Sequence, residues 1–575
     1  MIKENFIRLF EDAFRNYWEL PAYSNYGENL TLTYADVANK IAKLHILFEQ
    51  CHVKPGDRIS LIGRNNANWG IAYIASVTYG AVIVPILQDF NPNDVHHIVN
   101  HSESKLLFAS DNIWENLEEE KLSTIMAVFS LTDFNCLALL KQEGCEACEE
   151  IETSQLKHEV INTLFRAKYP HGFHKDNVRY IDKPNDQIVS YNYTSGTTGF
   201  SKGVMTTGNA LAGNITFALG TGLIREGYKI ISFLPLAHSY GCAFEFLSAT
   251  CKGCHVHFIG KIPSPKILLT AFAEIKPNVI FLVPLILEKI YKKQIQPLIA
   301  KPTIRWVLSI PFLDQTILTT VRKRLINSFG GEFVQLVCGG APLNSEVEEF
   351  FQKIKFPYTV GYGMTECAPL ISFSDADSFI AKSAGKVIPV MEVQIMDKDP
   401  ETGIGEICVK GENVMVGYYK NQEATDNMID KDGWLHTGDL GYLDENNNVF
   451  IRGRSKSMIL GASGQNIYPE EIEAKLNNMP FVMESLVIES NGRLFALVYP
   501  DYEAVDLEKL DQTQLEKVME ENKIALNNIV APYERIARIQ LYPNEFEKTP
   551  KKSIKRYLYQ TAFSSEKTAD NQQDS

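Results

Sequence analysis

The residues best equipped for chemistry lie in one run, Tyr193-Thr194-Ser195-Gly196-Thr197-Thr198-Gly199-Phe200-Ser201-Lys202-Gly203-Val204. Twelve positions hold three glycines, five Ser or Thr hydroxyls and one lysine. Glycine lets the backbone turn sharply and approach a ligand, so that successive N–H groups can converge on an anion. The hydroxyls add donors and Lys202 adds positive charge. This composition suits a phosphate. It is not a Walker loop, in which lysine directly follows glycine, because Phe200 and Ser201 separate Gly199 from Lys202. An ordinary surface turn is also rich in Ser, Thr and Gly, but it does not need five hydroxyls.

Two cysteine spacings were weighed for metal or haem. Cys145-Glu146-Ala147-Cys148 is a single C-x-x-C in an acidic stretch. Cys251-Lys252-Gly253-Cys254-His255 has the spacing of c-type haem attachment, with His257 following. The plainer reading is a turn at Lys252-Gly253 leading into a strand from His255. Ten cysteines in 575 residues do not form a disulfide scaffold.

Positioning such a loop requires a sheet. Ile188 to Tyr193 is β-branched and aromatic and predicts a strand ahead of the loop. Phe233-Leu234-Pro235 predicts a strand that stops at proline and presents His238 and Tyr240 next to Gly241. Val334 to Cys338 runs into Gly339-Gly340-Ala341-Pro342, and Tyr358 to Val360 runs into Gly361-Tyr362-Gly363-Met364-Thr365-Glu366. Ile280 to Val283 runs likewise into Pro284. Open α/β sheets place ligands at such strand ends, so the four endings that follow the loop, of the strands from Phe233, Ile280, Val334 and Tyr358, predict one shared site. Nearer the N-terminus, Thr33 to Asp36 predicts a capping box, with Val37, Ile41, Leu44 and Phe48 on one helical face. From Gly403 the pattern changes to short strands and turns, and Pro469 predicts a helix start with Glu470, Glu471 and Glu473 near its N-terminal end.

A chain of 575 residues should divide into domains. Its apolar fraction of 45% and charged fraction of 22% are those of a globular protein. A net charge of −14 argues against nucleic acid as a partner. Met1 to Asn5 lacks the start of a signal peptide, and Ile71 to Leu87 is broken by Ser76, Thr78, Gly80 and Pro85, so a cytoplasmic protein is expected.

Seven motifs in order, YTSGTTGFSKGV, LPLAHSYG, GGAPL, GYGMTE, GWLHTGDLGY, IRGRSKSMI and GQNIYPEEIE, closely resemble the adenylate-forming superfamily of acyl-CoA synthetases, luciferases and nonribosomal-peptide adenylation domains. The segment Val283-Pro284 to Tyr291 and the tail from Thr549 to Arg556 are similar to long-chain fatty acid–CoA ligases. The resemblance implies an α/β fold: a large domain, residues 1–455, of parallel-sheet subdomains with a small β-barrel-like part, and a small mobile α+β domain, 456–563, turning about Lys456. A polar tail, 564–575, is expected to be disordered. It also implies ATP, Mg²⁺ and coenzyme A as cofactors, and a fatty acid as substrate. A carboxylate would attack the α-phosphate of ATP to give acyl-AMP and pyrophosphate, and the coenzyme A thiol would then displace AMP.

By the same resemblance, Thr194, Ser195, Gly196, Thr197, Thr198, Gly199 and Lys202 wrap the β- and γ-phosphates. Thr365 holds the α-phosphate and acyl carbonyl oxygen, and Glu366 coordinates Mg²⁺, which favours oxygen ligands. Gly361, Tyr362 and Gly363 meet the adenine from one side; Gly340, Ala341 and Pro342 line the other. Asp439 accepts the ribose hydroxyls, and Arg454 contacts ribose or phosphate. His238 gates the acid pocket; a packed core histidine is the alternative. In one orientation of the small domain a lysine enters the adenylation site; in the other Gly464, Gln465 and Asn466 form the thioester channel.

One departure matters. The family's adenylation lysine directly precedes the Ile or Leu near the C-terminus, and here Ser553 precedes Ile554, which leaves Lys552 as the candidate. Medium-chain or aryl acids, an acyl carrier protein as acceptor, and a non-catalytic acyl- or nucleotide-binding protein stay open as alternatives. A fatty-acid substrate would bring the enzyme to the inner face of a membrane, for which the sequence offers no anchor.

Overall fold

The structure is a computed structural model, which describes residues 2–140, 151–194, 201–294, 313–460, 465–490, 492–549, 554–560 and 562. Two large sheets form the body. In the first, eight strands run in the spatial order 417–418, 202–207, 188–194, 82–86, 58–62, 104–109, 127–130 and 136–139. The second has nine strands, 386–387, 370–373, 358–363, 335–339, 279–282, 229–232, 255–258, 21–25 and 31–33. Its central neighbours, from 358–363 across to 21–25, pair in parallel. Strands buried on both faces need continuous apolar runs rather than alternation, and Val279–Leu282 and Gln335–Gly339 are buried throughout.

Helices fill the space between the sheets. Ala67–Tyr79 packs on strand 21–25 of one sheet and on 58–62 and 82–86 of the other. Asn66 caps its N-terminus by accepting from the Trp69 N–H, and Gly80, with φ of 96°, ends it in the left-handed region that glycine adopts without strain. Trp69 stacks on Tyr73 at 5.6 Å, and both rings meet Phe246 edge-on. Each such fully buried ring is worth on the order of 2–3 kcal/mol. The predicted capping box at Thr33 is present, with Asp36 in the Glu/Gln position. The helix Phe6–Asn16, which closes the bottom of this core with Phe6, Phe10 and Phe14, was not anticipated.

The strand expected through Pro235 ends at Ser232. The reason is local: the N–H groups of Phe233 and Leu234 donate to the buried Glu245 carboxylate, each at 3.1 Å, rather than to a neighbouring strand. The turn at Lys252-Gly253 and the strand His255–Phe258 are as expected, with Cys251 and Cys254 both buried and free.

The small β part is a four-stranded antiparallel sheet, 391–396, 405–411, 435–443 and 449–454. Beyond it, strands 482–490, 493–500 and 536–541 pack against helices Pro469–Leu476 and Gln512–Ile529 around separate apolar clusters centred on Ile472, Leu476, Val498 and Leu526 and on Leu486, Leu497 and Phe546. Pro469 is the first residue of its helix. Among the described residues no helix is long and apolar enough to cross a membrane.

Candidate active site

A cavity of about 2720 Å³ opens between the large body and the C-terminal unit. The predicted strand ends converge on it. Thr194 and Lys202, from strands 188–194 and 202–207, lie at one side; Ser195, Gly196, Thr197, Thr198 and Gly199 fall outside the described residues. Gly340, Ala341 and Pro342 line it after strand 335–339, and Gly361, Tyr362, Gly363, Thr365 and Glu366 line it at the end of strand 358–363. His238, Asp439, Arg454 and Lys456 complete the set on the body.

Asp439 is the most constrained of these groups. Gly438, with φ of +70°, lets strand 435–443 arch outward before it, and the Asp439 N–H donates to Thr437 Oγ1 at 3.0 Å. Its side chain is 6% exposed. The Tyr362 hydroxyl donates to Oδ2 at 2.6 Å, and Arg454 Nε, on the cross-strand partner residue, donates to Oδ1 at 2.8 Å. Burial pushes the Asp439 carboxyl above the usual carboxylate range, although Arg454 and Tyr362 pull it the other way. Each oxygen keeps a further acceptor direction, so a diol can be received alongside both partners. Tyr362 is thereby anchored through its hydroxyl, which fixes the plane in which its ring lines the cavity.

Glu366 sits in a buried helical turn, Thr365–Cys367, directly after the strand. Gly363 makes that turn reachable: a Cβ there would stand 2.1 Å from the Pro369 carbonyl oxygen, so no larger residue fits without backbone movement. Glu366 Oε1 accepts from the Tyr418 hydroxyl at 2.8 Å, and Lys202 Nζ lies over the Tyr418 ring at 5.1 Å from its centre. A cation over an aromatic face is attracted by the ring's negative quadrupole. Lysine, tyrosine and carboxylate thus form one chain across the cavity. Tyr418 was missed in the sequence; it belongs to a two-residue strand that pairs with the strand of Lys202, a contact no local pattern announces.

His238 faces the same cavity, and its Nδ1 accepts from the Tyr240 N–H at 3.3 Å. Two residues that sequence reading passed over hold its segment. Asn65 donates to the Leu234 carbonyl at 2.7 Å and accepts from the Leu236 N–H at 3.1 Å. Glu245, fully buried, takes the N–H groups of Phe233 and Leu234, and burial pushes its carboxyl well up. The cavity lining also includes the apolar side chains of Phe233, Phe244, Phe281, Ile224 and Phe217. Phe244 and Phe281 stack at 5.9 Å. Of the stretches 211–219, 242–249 and 279–287, residues 217, 218, 244, 281 and 283–286 reach the cavity. Leu211, Ile215, Phe246 and Leu247 are core.

The C-terminal unit presents its last segment to the cavity. Lys548 pairs with Glu484 at 2.7 Å and Glu545 at 2.6 Å, and it bridges to Ile554 across the segment. Arg556 is ion-paired with the buried Glu473 and lies 3.6 Å from Glu470. Thr549, Ile554 and Lys555 line the cavity; Lys551, Lys552 and Ser553, between them, fall outside the described residues, as do Gly464 and the tail 564–575. Asn466 pairs with Leu460 in a two-stranded sheet, and neither it nor Gln465 is among the residues that line the cavity. Lys456 is exposed in the short turn Ser455–Ser457 that leaves strand 449–454.

Comparison with known proteins identifies the fold and the family. The description "AMP-binding enzyme" matches residues 10–419. The long-chain-fatty-acid–CoA ligase of Salmonella typhimurium is 29% identical over 82% of this chain and 80% of its own. Among solved structures, ATP-bound MatB from Rhodopseudomonas palustris has a TM-score of 0.72 at 22% identity, covering 97% of this chain and 100% of that one. The anthranilate CoA ligase AuaEII in complex with anthranoyl-AMP has a TM-score of 0.74 at 18% identity, covering 97% of each. The two structures share the fold, and the family description spans most of the chain, both sheets and the strand ends that face the cavity. The chain belongs to the AMP-binding enzyme family.

Proposed function

We propose that the protein is an AMP-forming acid–CoA ligase that activates a fatty acid, preferably long-chain, and passes it to coenzyme A. The observation that carries this reading is the cavity's mixed lining: the apolar side chains of Phe217, Ile224, Phe233, Phe244 and Phe281 line it together with Thr365, Glu366, Asp439, Lys202 and His238. Such apolar side chains suit an alkyl chain, each buried methylene of which contributes about 0.8 kcal/mol. The similarity to long-chain ligases supports the same class.

In this reading the acid carboxylate attacks the α-phosphorus of ATP and pyrophosphate leaves; the coenzyme A sulfur then attacks the acyl carbonyl, losing its proton, and AMP leaves. Asp439, held by Tyr362 and Arg454, receives the ribose hydroxyls. Thr365 donates to the α-phosphate, and Lys202 offsets phosphate charge. Glu366 fits a Mg²⁺ ligand, being a carboxylate with one oxygen oriented by Tyr418 beside Thr365, and the ion would supply charge neutralisation at the phosphates. Positioning and charge stabilisation account for the acceleration, without covalent help from the protein. Residues 456–563 form the small domain and Lys456 its hinge.

The segment between Thr549 and Ile554 supplies the adenylating cation through Lys552. ATP–pyrophosphate exchange tests this directly: Lys552→Ala should lower exchange at least 100-fold, with Ser553→Lys near wild type. Exchange that survives Lys552→Ala and rises sharply in Ser553→Lys would mean that the native site lacks its lysine.

A further inference from the structure

A cluster outside the proposed chemistry lies on the four-stranded sheet. Glu406 and Cys408 are two apart on strand 405–411, so their side chains share a face, and His436 is the cross-strand partner of Cys408. His436 Nδ1 is 2.8 Å from Glu406 Oε2 and 3.4 Å from Cys408 Sγ. The three ligand atoms lie within 4.8 Å of one another, the one such group of three among the described residues.

We propose that Glu406, Cys408 and His436 bind a divalent transition metal of the zinc class. A thiolate, an imidazole and a carboxylate are the ligand types zinc takes, whereas Mg²⁺ and Ca²⁺ favour all-oxygen sites. Tetrahedral zinc bonds of roughly 2.0–2.3 Å require the carboxylate and imidazole to part by about half an ångström, within side-chain reach. The surroundings already assign the remaining atoms. Glu406 Oε1 accepts from the Gly438 N–H at 3.0 Å, leaving Oε2 for the ion. Asp430 Oδ1 accepts from Trp434 and Asp432 N–H groups, while its Oδ2 lies 3.7 Å from His436 Nε2. A carboxylate on the far nitrogen of a ligating histidine is the usual second layer of a zinc site. Binding releases the Cys408 thiol proton and places the imidazole proton on Nε2, facing Asp430. One Zn²⁺ with one thiolate and one carboxylate is neutral, which suits a buried cysteine.

Three protein ligands leave a fourth position for water or for a group from the cavity, which Glu406 and His436 also line. The metal would tie strand 405–411 to strand 435–443 through His436, three residues before Asp439. It is a site separate from the Mg²⁺ position at Glu366.

The test uses the full-length protein, stripped with chelator and titrated with Co²⁺ and Zn²⁺. We expect one Zn²⁺ retained per chain after dialysis, and a thiolate-to-cobalt charge-transfer absorption that Cys408→Ala removes while circular dichroism is unchanged. Asp430→Asn should weaken Zn²⁺ about 10- to 100-fold. Wild type without that absorption overturns the proposal without recourse to any variant, and so does an absorption that persists in Cys408→Ala, because the metal then sits elsewhere. Ligase activity is not needed to read the result.

Discussion

At the scale of single residues, the site depends on carboxylates oriented by hydroxyl and guanidinium donors. Asp439 is the clearest case, with Tyr362 on one oxygen and Arg454 on the other. A hydrogen bond to a charged, buried group is worth about 1.5–3 kcal/mol, so Tyr362→Phe should lower kcat/KM for ATP at least about tenfold. The loss should appear in pyrophosphate exchange with thermal stability little changed. Wild-type values would show that the hydroxyl neither orients Asp439 nor holds the ring. In the sequence, Thr365 and Glu366 stood out after Gly361-Tyr362-Gly363 at a strand end, and Asp439, which lies inside strand 435–443, only through the family motif around it. Tyr418 and Glu245 were not. Their partners lie 52 and 11–12 residues away, and they meet only because a two-residue strand pairs at a sheet edge and because a helix folds back under strand 229–232.

At the scale of elements, the helix pair 34–50 and 67–79 is held by a histidine that must stay neutral. His45, on the first helix, bonds through Nε2 to the Ala75 carbonyl at 3.0 Å and the Thr78 hydroxyl at 3.1 Å on the second. Burial lowers its pKa from 6.5 to about 4. Because the folded value is depressed, the unfolded chain takes up the proton first as pH falls. Its contribution is therefore complete above pH 6.5 and is lost as pH falls from there toward about 4. From about pH 7 to pH 5 this group alone should cost about 2 kcal/mol of stability. His45→Gln should flatten the pH dependence of the urea midpoint across that interval; an unchanged slope would assign the acid sensitivity elsewhere. His255 and His257, lowered by burial to about 4 and about 3, add to the wild-type slope. Elements with a strong period or cap, such as 34–50 and 67–79, could be read in the sequence. Strand 229–232 was expected to run on to Pro235, because its end is set by Glu245, which competes with a neighbouring strand for two N–H groups.

At the scale of the whole molecule, two bodies with separate apolar cores face one cavity, and the C-terminal body presents Thr549, Ile554 and Lys555 rather than Gln465 and Asn466. Under the proposed function this is the orientation for adenylation, and we propose that thioester formation requires the second body to turn. Lys456 is the proposed pivot, and proline there would fix φ near −65° and remove one backbone donor. Lys456→Pro should keep pyrophosphate exchange within about threefold and lower acyl-CoA formation at least 100-fold; equal loss of both would remove Lys456 from the role. The order of motifs made the family readable from sequence. Which apolar side chains line the cavity was not readable, because they come from stretches in which neighbouring positions are core. The central claim is that the apolar side chains lining the cavity receive an alkyl chain. It is tested most directly by kcat/KM for acyl-CoA formation across a series of saturated acids of increasing length and a set of aryl acids, with ATP, Mg²⁺ and coenzyme A. The account predicts kcat/KM that rises with each added methylene, by up to about fourfold per carbon if the full 0.8 kcal/mol is realised, with aryl acids far below; a flat series, or an aryl acid as the best substrate, would contradict it.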